Sequence, residues 1–193
     1  MLQPPSSDKC SAKVAESPFS GQKIAGAYAD WFKQFDPLWS WYCSFTFRPA
    51  VNKSGSVHPE KADKLFGRFI DNLNCQVYGK KYKKYPMKGV LVARATETGD
   101  RGGLLHYHAL VGHLPEDVSR MAWKESWNDM AGFSRIYPYD PSLGGIHYMA
   151  KSAYAFKRGE IDFIGPWERI PQIMKESYQV PEIFSCGEVH GVS

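Results

Sequence analysis

Residues 89–111 read GVLVARATETGDRGGLLHYHALV and predict a β-hairpin at the centre of the fold. Two largely apolar segments, 89–97 and 104–111, flank the sequence TGDRGG. Apolar segments of this length are typical of strands, and the Gly and Asp residues between them favour a tight connection. We therefore expect two adjacent antiparallel strands here.

Further strands and helices alternate on both sides of this hairpin. Aromatic and apolar patterning predicts additional strands at 41–47, 135–139 and 160–164. Helical spacing of apolar residues predicts helices at 24–35, from Pro59 past Leu73, at 115–132 and at 145–157. This order predicts an α+β fold, with a mostly antiparallel central sheet of about five strands flanked by helices.

The chain has 193 residues, which suits one domain with short extensions. We expect a flexible N-terminal extension at 1–23, where Ser, Pro and Lys are frequent, and a domain at 24–165. Residues 166–193 carry no pattern that predicts a structure. The net charge of +4 permits nucleic-acid binding without requiring it.

Cysteine spacing and hydropathy indicate an intracellular, cytoplasmic protein without a membrane partner. The 4 cysteines are far apart and form no CxxC pair, so neither a zinc knuckle nor a disulfide framework is predicted. No apolar stretch approaches the roughly 20 residues that a membrane-spanning helix needs. The polar N-terminus also lacks the apolar core of a signal peptide.

The second strand of the hairpin carries two histidines, His106 and His108, one residue apart. Side chains alternate along a strand, so both imidazoles should project from one face while Tyr107 and Ala109 enter the core. Glu97 ends the paired strand, and we expect it beside the two histidines. Two imidazoles and a carboxylate suit Mn²⁺ or Mg²⁺ and leave positions open for a substrate oxygen. A single HxH motif also arises by chance, with both rings bound to water or backbone.

The helix at 145–157 presents a tyrosine outside its apolar stripe. That stripe consists of Ile146, Met149, Ala150 and Ala153. Tyr148 and Lys151 lie off the stripe and neighbour each other, three residues apart. A phenol beside an ammonium is a plausible nucleophile for a phosphodiester. Tyr154 with Lys157 repeats the spacing; Tyr154 lies nearer the stripe and is expected to be packed, and it is the alternative nucleophile.

In combination these motifs resemble the HUH endonucleases of the replication-initiator (Rep) type, found in rolling-circle plasmids and small circular single-stranded DNA viruses. The matching parts, in chain order, are FTFRP at 45–49, Glu97 with His106 and His108, and Tyr148 with Lys151. The resemblance implies metal-dependent, sequence-specific nicking and joining of single-stranded DNA at a replication origin. The tyrosine would form a 5′-phosphotyrosine, the lysine would assist, and Glu97 with the histidine pair would bind Mn²⁺ or Mg²⁺.

Some features depart from the fuller members of that family. Motif I ends in Arg48-Pro49, and no Walker A loop is present, so we expect no ATP-binding site in this chain and unwinding by a host helicase. A single-tyrosine HUH transposase or relaxase is the nearest alternative. Two further alternatives are a non-catalytic nucleic-acid-binding protein and a metal-dependent hydrolase that activates water.

Cations interleaved with aromatics suggest where DNA would bind. The basic segment comprises Lys80, Lys81, Tyr82, Lys83 and Lys84. Lysines would neutralise phosphates and tyrosines would stack on unpaired bases, although a solvated basic loop has the same composition. Arg101 in the hairpin connection and Arg48 after the first strand are further expected DNA contacts, whereas Trp123 and Trp127 are expected in the core.

Overall fold

The computed structural model describes residues 21–49, 57–98, 105–155 and 161–178. The helices in these ranges are α1 Gly21–Lys33, α2 Pro59–Tyr78, α3 Arg120–Met130, α4 Gly145–Ala155 and α5 Ile170–Tyr178. The strands are β1 Trp39–Phe47, β2 Leu91–Thr98, β3 Leu105–Gly112, β4 Gly132–Pro138 and β5 Ile161–Ile164. The described part of the chain contains no helix that is both long and apolar enough to cross a membrane.

The strands form one five-stranded sheet in the order β4-β1-β3-β2-β5. Every neighbouring pair is antiparallel, and flanking helices cover the sheet. The predicted α+β class with an antiparallel central sheet is therefore confirmed. The predicted hairpin is also confirmed: β2 pairs with β3, and Glu97 lies opposite His106.

Alternating side chains give the sheet two buried faces, each covered by helices. On one face, α2 and α3 pack against Phe45 and Tyr107, with Phe66 and Trp127 at the centre of the cluster. On the other face, α1, α4 and α5 pack against Leu110 and its neighbours. The result is a three-layer arrangement with the sheet in the middle, and the His106 and His108 side chains lie on the α4 side.

Trp127 is the largest fully buried side chain, and Trp123 is 5% exposed, so both tryptophans lie in the core as predicted. The Trp127 ring lies 4.6 Å from the Phe45 ring and 5.3 Å from the Phe47 ring, centroid to centroid. Its indole nitrogen also donates to the Thr46 carbonyl at 3.4 Å. Trp127 therefore joins α3 to β1.

We expect Trp127→Ala to lower the free energy of unfolding by about 3–5 kcal/mol, because the cavity is lined by rings that cannot collapse into it. Urea denaturation followed by circular dichroism measures the change. Met121→Ala, at a half-exposed position of the same helix, is the control and should change stability by less than about 1 kcal/mol. A similarly small loss in Trp127→Ala would contradict this account of the core.

The domain continues beyond residue 165, where the sequence pattern stopped predicting structure. In α5, Ile170 is 6% exposed and Ile173 is 1% exposed, and both belong to the core on the α4 side. This short helix therefore belongs to the same core as Leu91 and Ala93 of β2. Of the predicted extension at 1–23, only residues 21–23 fall within the described part, as the start of α1.

A buried arginine on the α2 side fixes β2, the strand that ends in Glu97. Arg94 forms ion pairs with Asp162 of β5 and with Asp63 of α2, the latter at 2.8 Å. Its guanidinium also lies 4.2 Å from the centroid of the Tyr107 ring. Nothing in the sequence pattern predicted this network.

Candidate active site

The antiparallel register aligns side chains in rows across the α4 side of the sheet. One row contains Phe133, Thr46, His106 and Glu97, from β4 to β2. The next row contains Arg135, Ser44, His108 and Ala95. The histidine pair and the carboxylate that the sequence predicted as metal ligands therefore lie on one face, on adjacent strands.

Each histidine is held through its Nδ1 atom. Thr46 Oγ1 lies 2.9 Å from His106 Nδ1, and the Tyr42 hydroxyl lies 3.3 Å from His108 Nδ1. On the other side of its ring, His108 Nε2 lies 2.7 Å from Glu97 Oε2. These partners fix the orientation of both rings and direct the Nε2 side of His108 at the carboxylate.

The partners also assign the tautomer of His108. An ionised carboxylate only accepts hydrogen bonds, so His108 Nε2 carries the proton that Glu97 accepts, and Nδ1 accepts from Tyr42. Burial lowers the pKa of His108, while the Glu97 carboxylate opposes that shift. Burial, reinforced by Tyr148, raises the pKa of Tyr42 far above its usual range. Both directions favour the neutral forms of the imidazole and the phenol at neutral pH.

The donor set fits a divalent cation in its chemistry. Metal-binding histidines commonly use one ring nitrogen for the ion and the other for a protein partner, and Thr46 and Tyr42 supply such partners here. Across the described residues, no three His, Cys, Asp or Glu side chains already surround a common ion position. His108 instead donates its Nε2 proton to Glu97, so an ion bound at Nε2 would require the other neutral tautomer, in which Nδ1 carries the proton and donates to the Tyr42 hydroxyl.

Tyr148 lies beside the histidine pair. Its ring is 5.0 Å from the His108 ring, centroid to centroid, in an edge-to-face arrangement. Ile146, Met149 and Ala150 are buried, as the predicted apolar stripe requires, whereas Tyr148 is 48% exposed. The buried residues before and after Tyr148 in the sequence thus hold α4 against the sheet, while the phenol of Tyr148 remains accessible.

Tyr42 connects the start of α4 to the histidine pair. Its ring stacks on His108 with an interplanar angle of 17°, while a Cβ atom added at Gly145 would lie 3.0 Å from the ring. Gly145 therefore lets the first turn of α4 approach Tyr42 closely. The Tyr42 side chain therefore contacts both His108 and the first turn of α4, and it fixes the position of Tyr148 relative to His108.

A cavity of about 370 Å³ contains these groups. Its lining consists of Ser44, Thr46, Glu97, His106, His108, Phe133, Arg135 and Tyr148. The lining residues from β1 and β4 were not predicted from the sequence. The alternation along β4 indicates that Phe133 and Arg135 share a face, but only the strand order shows that this face adjoins the histidines.

The basic segment lies far from this cavity. Tyr82 and Lys83 both contact Asp71 of α2, at 2.8 Å and 2.7 Å, on the opposite face of the sheet. The segment precedes β2, whereas Glu97 is near its end, so the strand alone separates them by roughly 20 Å. Lys80, Lys81 and Lys84 belong to the same connection, and none of this segment lines the cavity.

Among the other predicted residues, Arg48 does not line the cavity, and the remaining ones lie wholly or partly outside the described residues. The Arg48 guanidinium donates to the Asn128 and Asp129 carbonyls at the end of α3, which gives this side chain a structural role. Arg101 lies outside the described residues. Lys151 and Tyr154 lie in α4, but their side chains are outside the described part.

Comparison with protein-family models, curated proteins and solved structures finds no match to this chain. A function is therefore inferred from the chain's own residues. An accessible phenol, two oriented imidazoles, a carboxylate and an arginine share one open cavity. Such groups can bind a phosphodiester and a cation and present a nucleophile to the phosphorus.

Proposed function

We propose that this chain is an HUH endonuclease of the replication-initiator type. It nicks and rejoins single-stranded DNA through a 5′-phosphotyrosine on Tyr148 and so initiates rolling-circle replication. The observation that carries the proposal is the 5.0 Å contact between the rings of Tyr148 and His108, with His108 in turn bound to Glu97. The lysine three residues after Tyr148 favours a replication initiator over a single-tyrosine transposase, which usually pairs its tyrosine with a glutamine.

The reaction is a transesterification. The Tyr148 oxygen attacks the phosphorus of the scissile phosphodiester and loses its proton to solvent. The bond from phosphorus to the 3′ oxygen breaks, and that oxygen takes up a proton and leaves as a 3′ hydroxyl. A 3′ hydroxyl later attacks the phosphotyrosine and restores both the DNA strand and the phenol. One ester bond replaces another at each step, so no ATP is needed.

Residues in the cavity and directly beside it hold the reacting groups. Tyr42 and Thr46 orient the histidine rings, and α4 holds Tyr148 at the edge of the pair. A divalent cation bound by Glu97, His106 and His108 would supply positive charge to the phosphate oxygens. Arg135 contributes a fixed cation to the same cavity, on the side away from Glu97.

A covalent-adduct assay tests the proposal. The protein is mixed with Mn²⁺ and a randomised single-stranded DNA pool, separated on a denaturing gel and mapped by mass spectrometry. We expect an adduct on Tyr148 that EDTA abolishes, and the attached DNA identifies the recognition sequence. Metal-dependent cleavage without an adduct would instead indicate a water-activating hydrolase. Binding without cleavage would indicate a non-catalytic binding protein.

We expect Gly145→Ala to lower the nicking rate by about 10- to 100-fold, because the added Cβ crowds the Tyr42 ring and displaces Tyr148 from the scissile phosphate. Initial rates on the selected DNA, compared with thermal unfolding, separate this displacement from a loss of folding. Gly26→Ala in α1 is the matched control, since a Cβ there meets nothing within 4 Å. An unchanged rate in Gly145→Ala would show that this contact does not position the nucleophile.

A further inference from the structure

We propose that the edge strand β4 binds the unpaired nucleotides next to the scissile phosphate. Its contact surface consists of Phe133, Arg135 and Tyr137, which we call the edge strip. This inference rests on the proposed function and specifies how the same site holds its substrate. The sequence had placed these contacts in the basic segment, Lys80–Lys84, which lies at the far end of the sheet.

The edge strip exposes large aromatic side chains. Phe133 is 52% exposed and Tyr137 is 51% exposed, while Ser134 and Ile136 between them are buried. The helix α4 packs over β2 and β3, so β4 lies on the open side of this face. Two half-exposed rings on one strand present aromatic surface on which a planar ligand can stack.

The edge strip is continuous with the candidate active site. Phe133 and Arg135 line the cavity that also contains Tyr148. Between β4 and the histidines, β1 contributes only the short side chains of Ser44 and Thr46. Neighbouring strands are about 4.8 Å apart, so β4 runs roughly 10 Å from β3. The small residues therefore form the floor of a trough between the histidine pair and the side chains of Phe133 and Arg135. Tyr137 extends the edge strip beyond this trough, where its neighbour on β1 is Tyr42.

The cation of the edge strip is available to a ligand. The Arg135 guanidinium lies 5.8 Å from the centroid of the Phe133 ring. In the part of the chain that the structure describes, no carboxylate forms an ion pair with Arg135. This contrasts with Lys83, whose ammonium is paired with Asp71. Arg135 can thus bind a phosphate without first breaking an ion pair to a described residue.

The order of groups favours single-stranded nucleic acid as the ligand. Alternate residues of a strand are about 6.6 Å apart, so a ring, a guanidinium and a second ring follow one another along β4. Phosphate binds the guanidinium, and unpaired bases stack on the rings with little dependence on sequence. Bases in a duplex are already stacked within it and cannot use these rings.

The test measures binding separately from catalysis. Fluorescence anisotropy with labelled dT20 and the dT20·dA20 duplex is recorded in EDTA, with Tyr148→Phe present in every protein. We expect Phe133→Ala and Tyr137→Ala each to weaken dT20 binding about tenfold and to leave duplex binding unchanged. Phe133→Leu, which keeps an apolar side chain but removes the ring, should behave like Phe133→Ala.

Arg135→Gln should weaken dT20 binding and lower the slope of log affinity against log salt by about one. Met121→Ala and Arg68→Gln are matched controls on the opposite helix layer, and both should bind dT20 like the parent protein. If the Phe133, Arg135 and Tyr137 variants bind dT20 as tightly as the parent protein, the proposal that the edge strip binds DNA is wrong. The covalent-adduct assay on proteins that retain Tyr148 then separates the two proposals. If binding is parent-like and the adduct forms, the proposed function stands without the edge strip; if binding falls but the adduct does not form, DNA binding by the edge strip stands alone.

Discussion

Tyr148→Phe is expected to form no covalent protein–DNA adduct and to nick at least roughly 10⁴-fold more slowly, as when other covalent enzymes lose their nucleophile. The substitution removes one oxygen atom and keeps the ring that contacts His108 at 5.0 Å. The cavity and its DNA contacts should therefore persist, and only the nucleophile is lost. Single-turnover nicking and gel detection of the adduct measure the effect, and anisotropy in EDTA checks that DNA binding is retained.

Two tyrosine controls make this result specific. Tyr28→Phe changes an exposed tyrosine of α1 and should nick at the normal rate. Tyr154→Phe tests the alternative nucleophile that repeats the YxxK spacing, and it should also retain the adduct. An adduct that survives in Tyr148→Phe but disappears in Tyr154→Phe would show that the nucleophile is wrongly assigned. Cleavage that survives the loss of both would favour an activated water.

Local sequence periodicity was enough to predict the hairpin and the face of its histidines. Alternation along β3 requires His106 and His108 to share one face, and a short connection requires β2 to be its neighbour. Glu97 could therefore be placed beside them before the register was known. Helical periodicity likewise separated Tyr148 from its buried neighbours, because three or four positions suffice to define an apolar stripe.

The residues that complete the cavity depend on pairings between distant segments. Tyr42 and Thr46 reach the histidines because β1 lies between β3 and β4, and sequence patterns do not encode strand order. Arg135 enters the cavity for the same reason. The composition of the basic segment suits DNA, and its DNA contacts stay a prediction; its position before β2 places it at the end of the sheet away from the cavity. In α5, 9 residues are too few for a clear period, and burial of Ile170 and Ile173 stabilises the helix.

Glu97→Gln is expected to lower nicking by about 10²- to 10³-fold at a fixed Mn²⁺ concentration, because the cavity loses the one carboxylate among its described lining residues and with it several kcal/mol of cation binding. The amide keeps the size of the side chain and can still accept a hydrogen bond from His108, so the fold should be retained. Nicking rates over a range of Mn²⁺ concentrations should show a requirement at least about tenfold higher than that of the parent protein. Direct Mn²⁺ titration followed by electron paramagnetic resonance provides a readout that does not depend on DNA.

The control and the possible outcomes separate two roles for Glu97. Glu125→Gln removes an exposed carboxylate from α3 on the opposite layer and should leave both measurements unchanged. Weaker Mn²⁺ binding together with slower nicking assigns Glu97 to the cation. Unchanged Mn²⁺ binding with slower nicking would restrict Glu97 to orienting His108, because the hydrogen bond of 2.7 Å would then be its main contribution. If neither quantity changes, the carboxylate takes no part in catalysis, and the metal-dependent mechanism loses the residue that distinguishes this cavity from a chance pair of histidines.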